Sequence, residues 1–370
     1  MNLRTVQTDK DLDAFIDMPY HFYRGDPVWV PPLRSEQRGQ FDPKRNPLLN
    51  HCEYGLFLLE SEGRVNGRIA AFIDNMAVAY WKQLVGLFGY YECPRDGAAS
   101  RLLLDAAAGW LKGRGMKAMR GPWTFVSQEW GLVVEGFTPQ PVVMAPYNPP
   151  YYIDHMTDYG LQKVKDLLCY SISGSDGYRV PDRILRLTDA VAHRYGVRVR
   201  RVDMRQYERE VETIMELSNV SLAGNWGYSP VTPEEVQAMA RDLKAIIQPR
   251  GVLFAEDARG KSIGFAIAIP DANILLKGMN GRLLPFGWMK LLFGLPRLRA
   301  YRMFALGVVP EYQGKGIDSL LYRALYESLF SPAMRMEINY VLEDNHPMNN
   351  AIRKLDAKPL RRYRIYEKEI

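Results

Sequence analysis

Cysteine and histidine are scarce in this chain of 370 residues, with three of the first and five of the second. Cys52, Cys93 and Cys169 stand far apart without CxxC spacing, and the histidines form neither an HxxxH nor a His–Cys pattern. A disulfide framework is excluded and a metal site has no support, so no metal is expected. Cys93 and Cys169 lie in strand-like runs, where a free thiol packs as a small apolar group, and reduced thiols point to the cytoplasm. No run of about 18 apolar residues exists, so no membrane-spanning helix is expected. The opening Met1-Asn-Leu-Arg-Thr leads into a polar, acidic segment without the apolar stretch of a secretory leader. Extreme charge is missing too. A net charge of +6 and a pI near 9.0 suit an anionic cofactor or an anionic membrane surface, and no nucleic-acid partner is expected.

What is present is ordinary globular composition, 47% hydrophobic and 24% charged, in a chain long enough for two cores. The two halves show the same order of events. In the second, Val197-Arg-Val-Arg-Arg-Val reads as a strand and Tyr207 to Asn219 as an acidic helix. Another helix starts at Thr232-Pro-Glu-Glu, with Thr232 as N-cap, Pro233 at the first helical position and Glu235 completing a capping box. Gly251-Val-Leu-Phe-Ala-Glu and Ser262 to Ile269 pair around a charged turn, a third strand ends at Phe304-Ala-Leu-Gly-Val-Val, and a helix from about Gly316 to Phe330 leads to the strand Met336-Glu-Ile-Asn-Tyr-Val. The first half echoes this with a hairpin (Tyr54–Glu60, Arg68–Ile73), a strand at Leu87–Pro94, the helix Ala98 to Lys112 and a strand at Met116–Pro122. Similar tails close both halves, at 160–170 and 357–366. Two domains, 1–180 and 181–370, are the expectation.

The run Leu306-Gly-Val-Val-Pro-Glu-Tyr-Gln-Gly-Lys-Gly-Ile-Asp-Ser-Leu-Leu-Tyr carries the chemistry. A strand ends, a tight turn with Gly314 and Gly316 follows, and an amphipathic helix begins with Ile317, Leu320, Leu321, Ala324, Leu325 and Leu329 on one face. Such a turn aims consecutive N–H groups at one point, and the helix N-terminus adds its partial positive charge, which makes an anion site. A Cβ at either glycine would block the anion's approach, and Lys315 adds a full charge at the rim. A strand–turn–helix with two glycines can also be a mere connection.

The complete string resembles motif A of the GNAT N-acyltransferase superfamily, through Val308, Pro310, Tyr312, Gln313, Gly314 and Gly316. The resemblance covers the half from Val197 onward. It implies an α/β fold with a mixed sheet, two tandem GNAT-like domains with the N-terminal one degenerate, and a pyrophosphate of acyl-coenzyme A (acetyl or longer) held by Val308, Val309, Gln313, Gly314, Lys315, Gly316, Ile317 and Asp318. Asp318 departs from the family's Gly or Ala and is expected to cap the helix. Glu343 to Ala357 resembles the family's Asn-containing region, with Asn345 as the matching residue. In the first half the corresponding turn, Pro94 to Ser100, has lost its close-approach glycines, so that half is expected to bind no cofactor. The proline- and aromatic-rich segment Met144 to Tyr152 is either a wall of the substrate cleft or a rigid packing loop.

The resemblance also implies direct attack of an amine on the thioester. The tyrosine that in many members protonates the thiolate aligns near Ile352, which has no proton to give; Tyr322 and Tyr340 are the nearby hydroxyls, with packing as the alternative role. Glu337 is the first choice for the base, against a solvated acid on an edge strand, and Asn339 and Val341 share its face. A backbone N–H at Val308 or Val309 is expected to polarise the thioester carbonyl. Asn225, Trp226 and Tyr228 sit where GNAT folds build the acceptor pocket. Leu283 to Ala300 is strongly apolar, carries Trp288, and is edged by Arg282, Lys290, Arg297, Arg299 and Arg302. It reads either as a cover for the core or as a peripheral membrane contact through 283–302, on the inner membrane face. The whole chain is similar to two-part bacterial GNAT proteins and to the GNAT-related bacterial ceramide synthases, which implies an amine-bearing small molecule or lipid as acceptor. Three functions stay open: an acyl-coenzyme A-dependent N-acyltransferase, a Fem-like aminoacyl transferase, and a non-catalytic acyl-coenzyme A-binding protein.

Overall fold

In a computed structural model, which describes residues 1–125 and 129–370, the chain forms two compact units. The first contains Met1–Leu167, Asn273–Trp288 and Arg361–Ile370; the second contains Leu168–Ala272 and Met289–Leu360.

The first unit begins with β1 (Asn2–Thr5) and α1 (Asp9–Phe22), whose entry is fixed by a capping box between Thr8 and Asp11. After α2 (Arg34–Gly39), β2 (Cys52–Ser61) and β3 (Arg64–Asp74) form a hairpin whose turn uses positive φ at Glu62 and Gly63. Then come α3 (Asn75–Trp81), β4 (Val85–Glu92), α4 (Gly97–Lys112), β5 (Ala118–Gly121), β6 (Leu132–Glu135) and α5 (Tyr152–Asp158). Every residue of β4 is buried, as befits a strand with neighbours on both sides and both faces covered. β3 and β4 are antiparallel, whereas β4 and β5 are parallel. On α4 the apolar stripe Ala99, Leu103, Leu104, Ala107 and Leu111 packs on Leu59, Ile69, Ala71, Phe88 and Met119. The segment 144–152 packs here as well: the Tyr151 hydroxyl donates to Cys93 O, and the Tyr152 hydroxyl accepts from Cys93 N–H and donates to Glu92. Of its two expected roles, these contacts are those of a packing loop.

β7 (Gln162–Ser173) starts in the first unit and ends in the second, where it borders β12. The second unit continues with α6 (Asp182–Tyr195), β8 (Arg198–Arg201), α7 (Tyr207–Ser221), α8 (Pro233–Lys244), β9 (Val252–Glu256) and β10 (Ser262–Pro270). Thr232 caps α8 as its sequence position requires, accepting from Glu235 N–H at 3.2 Å. The short α9 (Asn273–Leu276) and α10 (Gly287–Gly294) follow, then β11 (Ala300–Val308), α11 (Ile317–Leu329), β12 (Arg335–Leu342) and α12 (His346–Lys354). β9, β10 and β11 are antiparallel in turn, and β11 and β12 are parallel. The pattern of β2–β5 is thereby repeated, with α11 in the place of α4. Ile317, Leu321, Leu325 and Leu329 of α11 are buried against Leu253, Ile263, Ala266, Met303 and Met336; Leu320 and Ala324 flank them half-buried.

The last strand, β13 (Lys358–Glu369), returns to the first unit, where it pairs antiparallel with β5 from Tyr366↔Gly121 to Glu369↔Ala118. Arg364 grips the fully buried Asp166 with both ends of its guanidinium, at 2.8 and 2.9 Å. Burial acts to raise the Asp166 pKa, but Arg364 and Lys163 outweigh it and hold the carboxyl below its usual range. The units therefore differ from contiguous halves at 1–180 and 181–370. Strand pairing takes a partner from wherever the chain supplies one, and linear order does not report that.

A chain ending at Leu360 loses the buried Tyr363, Ile365 and Tyr366. At about 1.5–3 kcal/mol each, their loss rivals the whole stability of a domain, roughly 5–15 kcal/mol. Near-UV circular dichroism of this truncated chain is expected to show no cooperative melting of the first unit; an unshifted transition would contradict the assignment of β13.

Candidate functional site

The register of β11 and β12 runs from Ala300↔Arg335 to Met303↔Ile338, while the strands go on to Val308 and Leu342. Beyond Met303 the two strands have no ladder pairs among the described residues, and a fork opens between them. The other edge of β11 stays paired with β10 as far as Gly264↔Val308. The Val309 N–H donates to Ile263 O at 2.9 Å, on the β10 side, so it is spent. Strand alternation turns the Val308 N–H toward the fork. The Val308 amide therefore lines the fork, and the Val309 amide does not.

After a helical turn at Pro310–Tyr312, Gln313 is used internally: its N–H donates to Pro310 O at 3.2 Å and its Nε2 to Val308 O at 3.0 Å. Gln313 thus shapes the turn rather than offering an amide to an anion. Gly314 and Gly316 both have positive φ, +71° and +84°. A Cβ on Gly314 would meet open space, whereas one on Gly316 would lie 3.0 Å from Val191 Cγ2. Both glycines serve the left-handed backbone, and Gly316 serves the close approach of α6 as well. Among the described residues the N–H groups of Gly314, Lys315, Gly316 and Ile317 have no hydrogen-bond partner, and α11 has no side-chain cap. Lys315 is exposed, its Nζ 4.8 Å from the Tyr312 ring centre.

The equivalent corner of the first unit is closed. Asp96 caps α4, accepting from Ala98 N–H at 2.8 Å and Ala99 N–H at 3.1 Å, so a carboxylate already occupies those amides. In the second unit Asp318 sits one position into the helix and does not cap it in that way. Burial, partly countered by the N–H groups of Ser319 and of Asp318 itself, holds its carboxyl above the usual range.

The remaining candidates fall on both sides of the fork. Glu337 is 1% exposed and lies opposite Arg302, which is fully buried, in the last paired stretch; Cys169 Sγ donates to its Oε1 at 3.2 Å. It is an interior-strand carboxylate, not a solvated edge acid. Tyr340 lies farther along β12 inside the fork, half-buried, with the Arg302 guanidinium 5.2 Å from its ring centre. Tyr322 is turned away from the fork, donating to Met348 Sδ at 2.6 Å, and burial keeps its hydroxyl far above the usual range. Ile352 is core. Asn345 caps α12, accepting from Met348 N–H at 3.2 Å. Its neighbour Asn349, which the sequence did not single out, ties the end of β12 to Asn345 O and accepts from the Tyr170 hydroxyl at 2.9 Å.

Gly307 brings α7 to the fork: a Cβ there would lie 2.3 Å from Ser221 Oγ. The loop that leaves Ser221 carries Asn225, exposed, and Trp226 and Tyr228, half-buried, so it starts beside the open end of β11. The Tyr228 hydroxyl bonds Asn219 Oδ1 at 2.9 Å. In the apolar segment Leu284 is 74% and Phe293 58% exposed, with Phe286, Trp288 and Leu292 exposed beside them. Leu298 of the same segment is buried and Leu283, Met289, Leu291 and Leu295 are half-buried, so the segment packs part of its apolar side chains against the protein and exposes the rest. Arg302, expected at its cationic edge, is instead fully buried on β11, because it belongs to the strand's alternation and not to the segment before it.

No family model matches the chain. It is 32% identical over its full length to protein YghO of Escherichia coli, covering 95% of that protein, and 32% identical over 99% of its length to the bacterial ceramide synthase of Caulobacter vibrioides, covering 96% of it. A tandem GNAT protein from the clavulanic acid biosynthesis pathway superposes on the whole chain with a TM-score of 0.60 at 14% identity, over 98% of its own length. The expected fold, a mixed α/β sheet in two tandem GNAT-like halves, is the one observed.

A carboxyl with a raised folded-state pKa stays neutral to higher pH and becomes an anion beside the turn only as pH climbs through that pKa. The affinity of wild type for inorganic pyrophosphate, relative to that of Asp318→Asn, is therefore expected to fall as pH rises above the ordinary aspartate value of 3.8. Calorimetry of both proteins isolates the effect, because the probe's own protonation is common to the two. At neutral pH the variant should bind about fivefold tighter, the size of one charge at a helix end. Parallel pH curves would show that Asp318 does not face the anion.

Proposed function

The chain belongs to the GNAT N-acyltransferase superfamily as a tandem, two-unit member, and from that premise we propose that its second unit transfers an acyl group from acyl-coenzyme A to a primary amine. The observation that supports it most is the run of unpartnered N–H groups from Gly314 to Ile317, at the mouth of the fork and ahead of a 13-residue helix. Such a cradle fits a diphosphate. Acyl-coenzyme A supplies an acyl group activated as a thioester. The chain's own residues do the rest: Gly314, Lys315, Gly316 and Ile317 hold the diphosphate, the Val308 N–H faces the fork, and Glu337 accepts a proton from the amine. Tyr340 is the hydroxyl best placed to return one to the departing sulfur, since Ile352 has none and Tyr322 is turned away. Asn225, Trp226 and Tyr228 flank the acceptor.

A lipidic amine with a long-chain acyl donor is the substrate class we favour, for two reasons. One full-length relative is a ceramide synthase. The exposed apolar segment around α10 also lies in a stretch with no acidic residue between Asp271 and Glu311, while Lys277, Arg282, Lys290, Arg297 and Arg299 are basic. Apolar side chains ringed by cations suit the anionic inner face of a membrane. Among the described residues no helix is long and apolar enough to cross one, so the contact is peripheral. A non-catalytic acyl-coenzyme A-binding protein is the second reading, favoured by the buried Ile352 where many members carry a tyrosine.

Release of free coenzyme A thiol with long-chain primary amines decides between the two readings. Glu337→Gln should lower kcat by about 10²- to 10⁴-fold with little change in KM. Gly314→Val, which meets no neighbour but strains a left-handed backbone by about 1–2 kcal/mol, should raise the Kd for coenzyme A with only a small drop in Tm. Cosedimentation with phosphatidylglycerol vesicles should weaken at least about tenfold in Leu292→Ser/Phe293→Ser; equal pelleting of both proteins would remove the membrane from the proposal.

A further inference from the structure

Asn339 is 3% exposed, and both polar atoms of its side chain, Oδ1 and Nδ2, are buried without a hydrogen-bond partner. A buried amide in that condition costs about 1–3 kcal/mol for each unsatisfied group, and native proteins seldom keep one. Replacement by an apolar side chain of similar size would remove the cost, so its presence calls for a partner that is not part of the folded chain.

Its place says which. The last ladder pair of the parallel strands is Met303↔Ile338, so Asn339 is the first residue of β12 inside the fork. It follows Glu337 by two positions and shares its face of the strand. The diphosphate cradle lies past the other end of β11. Phe304, level with Asn339, is four residues short of Val308, about 13 Å at roughly 3.3 Å per residue. The extended pantetheine arm between diphosphate and sulfur is long enough to cover that span. Asn339 therefore stands where the reacting groups meet, two strand positions beyond the carboxylate assigned as base.

We propose that Asn339 is a catalytic residue of the acyl transfer, an inference that rests on the acyltransferase reading above. Two reactants meet there, one offering an acceptor (the thioester carbonyl oxygen) and the other a donor (an amine N–H). Asn339 offers one of each in return: Nδ2–H to the carbonyl oxygen and Oδ1 to the amine. The amine lone pair forms the N–C bond while the carbonyl π pair moves onto oxygen, where the Nδ2–H bond strengthens as the charge grows. The oxygen's pair then restores the carbonyl and the C–S bond breaks, its electrons leaving with sulfur. Glu337 takes the surplus amine proton, and the thiolate receives one from Tyr340 or water, giving an amide and a free thiol. A donor already in place where charge develops needs no reorganisation during the step, which is the benefit set against the standing cost of an unpaired amide.

Asn339→Leu and Asn339→Ala are to be compared with wild type in thiol release and thermal melting. Both should lose about 10²- to 10³-fold in kcat, with KM for acyl-coenzyme A held within about twofold. The leucine variant should melt at or above the wild-type temperature, because the unpaired amide is gone; a structural asparagine would give the opposite. A kcat within about threefold of wild type, a loss confined to KM, or a clearly lowered melting temperature in Asn339→Leu would each overturn the role. A wild-type protein that releases no thiol with any long-chain amine overturns the acyltransferase reading and this role together. Turnover that survives in Asn339→Leu overturns the role alone.

Discussion

Two parallel strands that stop pairing partway along leave backbone groups that must find other partners, and the second unit is organised around that requirement. β11 keeps β10 on one edge but parts from β12 after Met303. An exposed gap of this kind is costly in a protein interior unless something fills it. Some of the demand is met internally: Gln313 turns its side chain back onto Val308 O, and Asn349 closes the end of β12 onto α12. What is left over, the Val308 N–H and the four amides after Gln313, converges on a path from the fork to the start of α11. Under the proposed function, these are the groups that receive the anionic end of an extended donor.

The two units show how small a change decides whether such a corner is available. Both place a helix after the third strand of the same pattern, α4 after β4 and α11 after β11. In the first, Asp96 stands at the N-cap and its carboxylate takes the first free amides; in the second, Gly316 stands there with no side chain to offer. The cap stabilises α4 by about 1 kcal/mol, and the same interaction closes its amides to an external anion. Stability and anion capture compete for one set of N–H groups. Asp318 shows a milder form of the same competition, since it keeps a carboxyl near the turn while burial favours the neutral form.

At the base of the fork, Arg302 and Glu337 in the last paired stretch and Asn339 just beyond it bury three polar side chains, with Cys169 donating to the carboxylate. Polar burial at this density is expensive where an apolar strand would fold as well, and the proposed function gives it a use. Cys169, a small packed thiol by its sequence context, also serves this face as a hydrogen-bond donor.

Local chemistry was legible in the amino-acid order: the Thr232 cap, the stripe on α11, the hairpin of Tyr54–Glu60 with Arg68–Ile73, the glycine turn before Ile317, and the repetition of strand order in the two halves. Each depends on residues a few positions apart, so periodicity and turn preference suffice to find it. Tertiary structure alone decided that β13 completes the first unit, that the Val309 amide is consumed by β10, that Arg302 and Glu337 are interior, and that Asn339 is left unpaired. Those outcomes depend on which distant strand lies alongside and on how much solvent reaches a side chain, and both are properties of chain segments brought together only by folding.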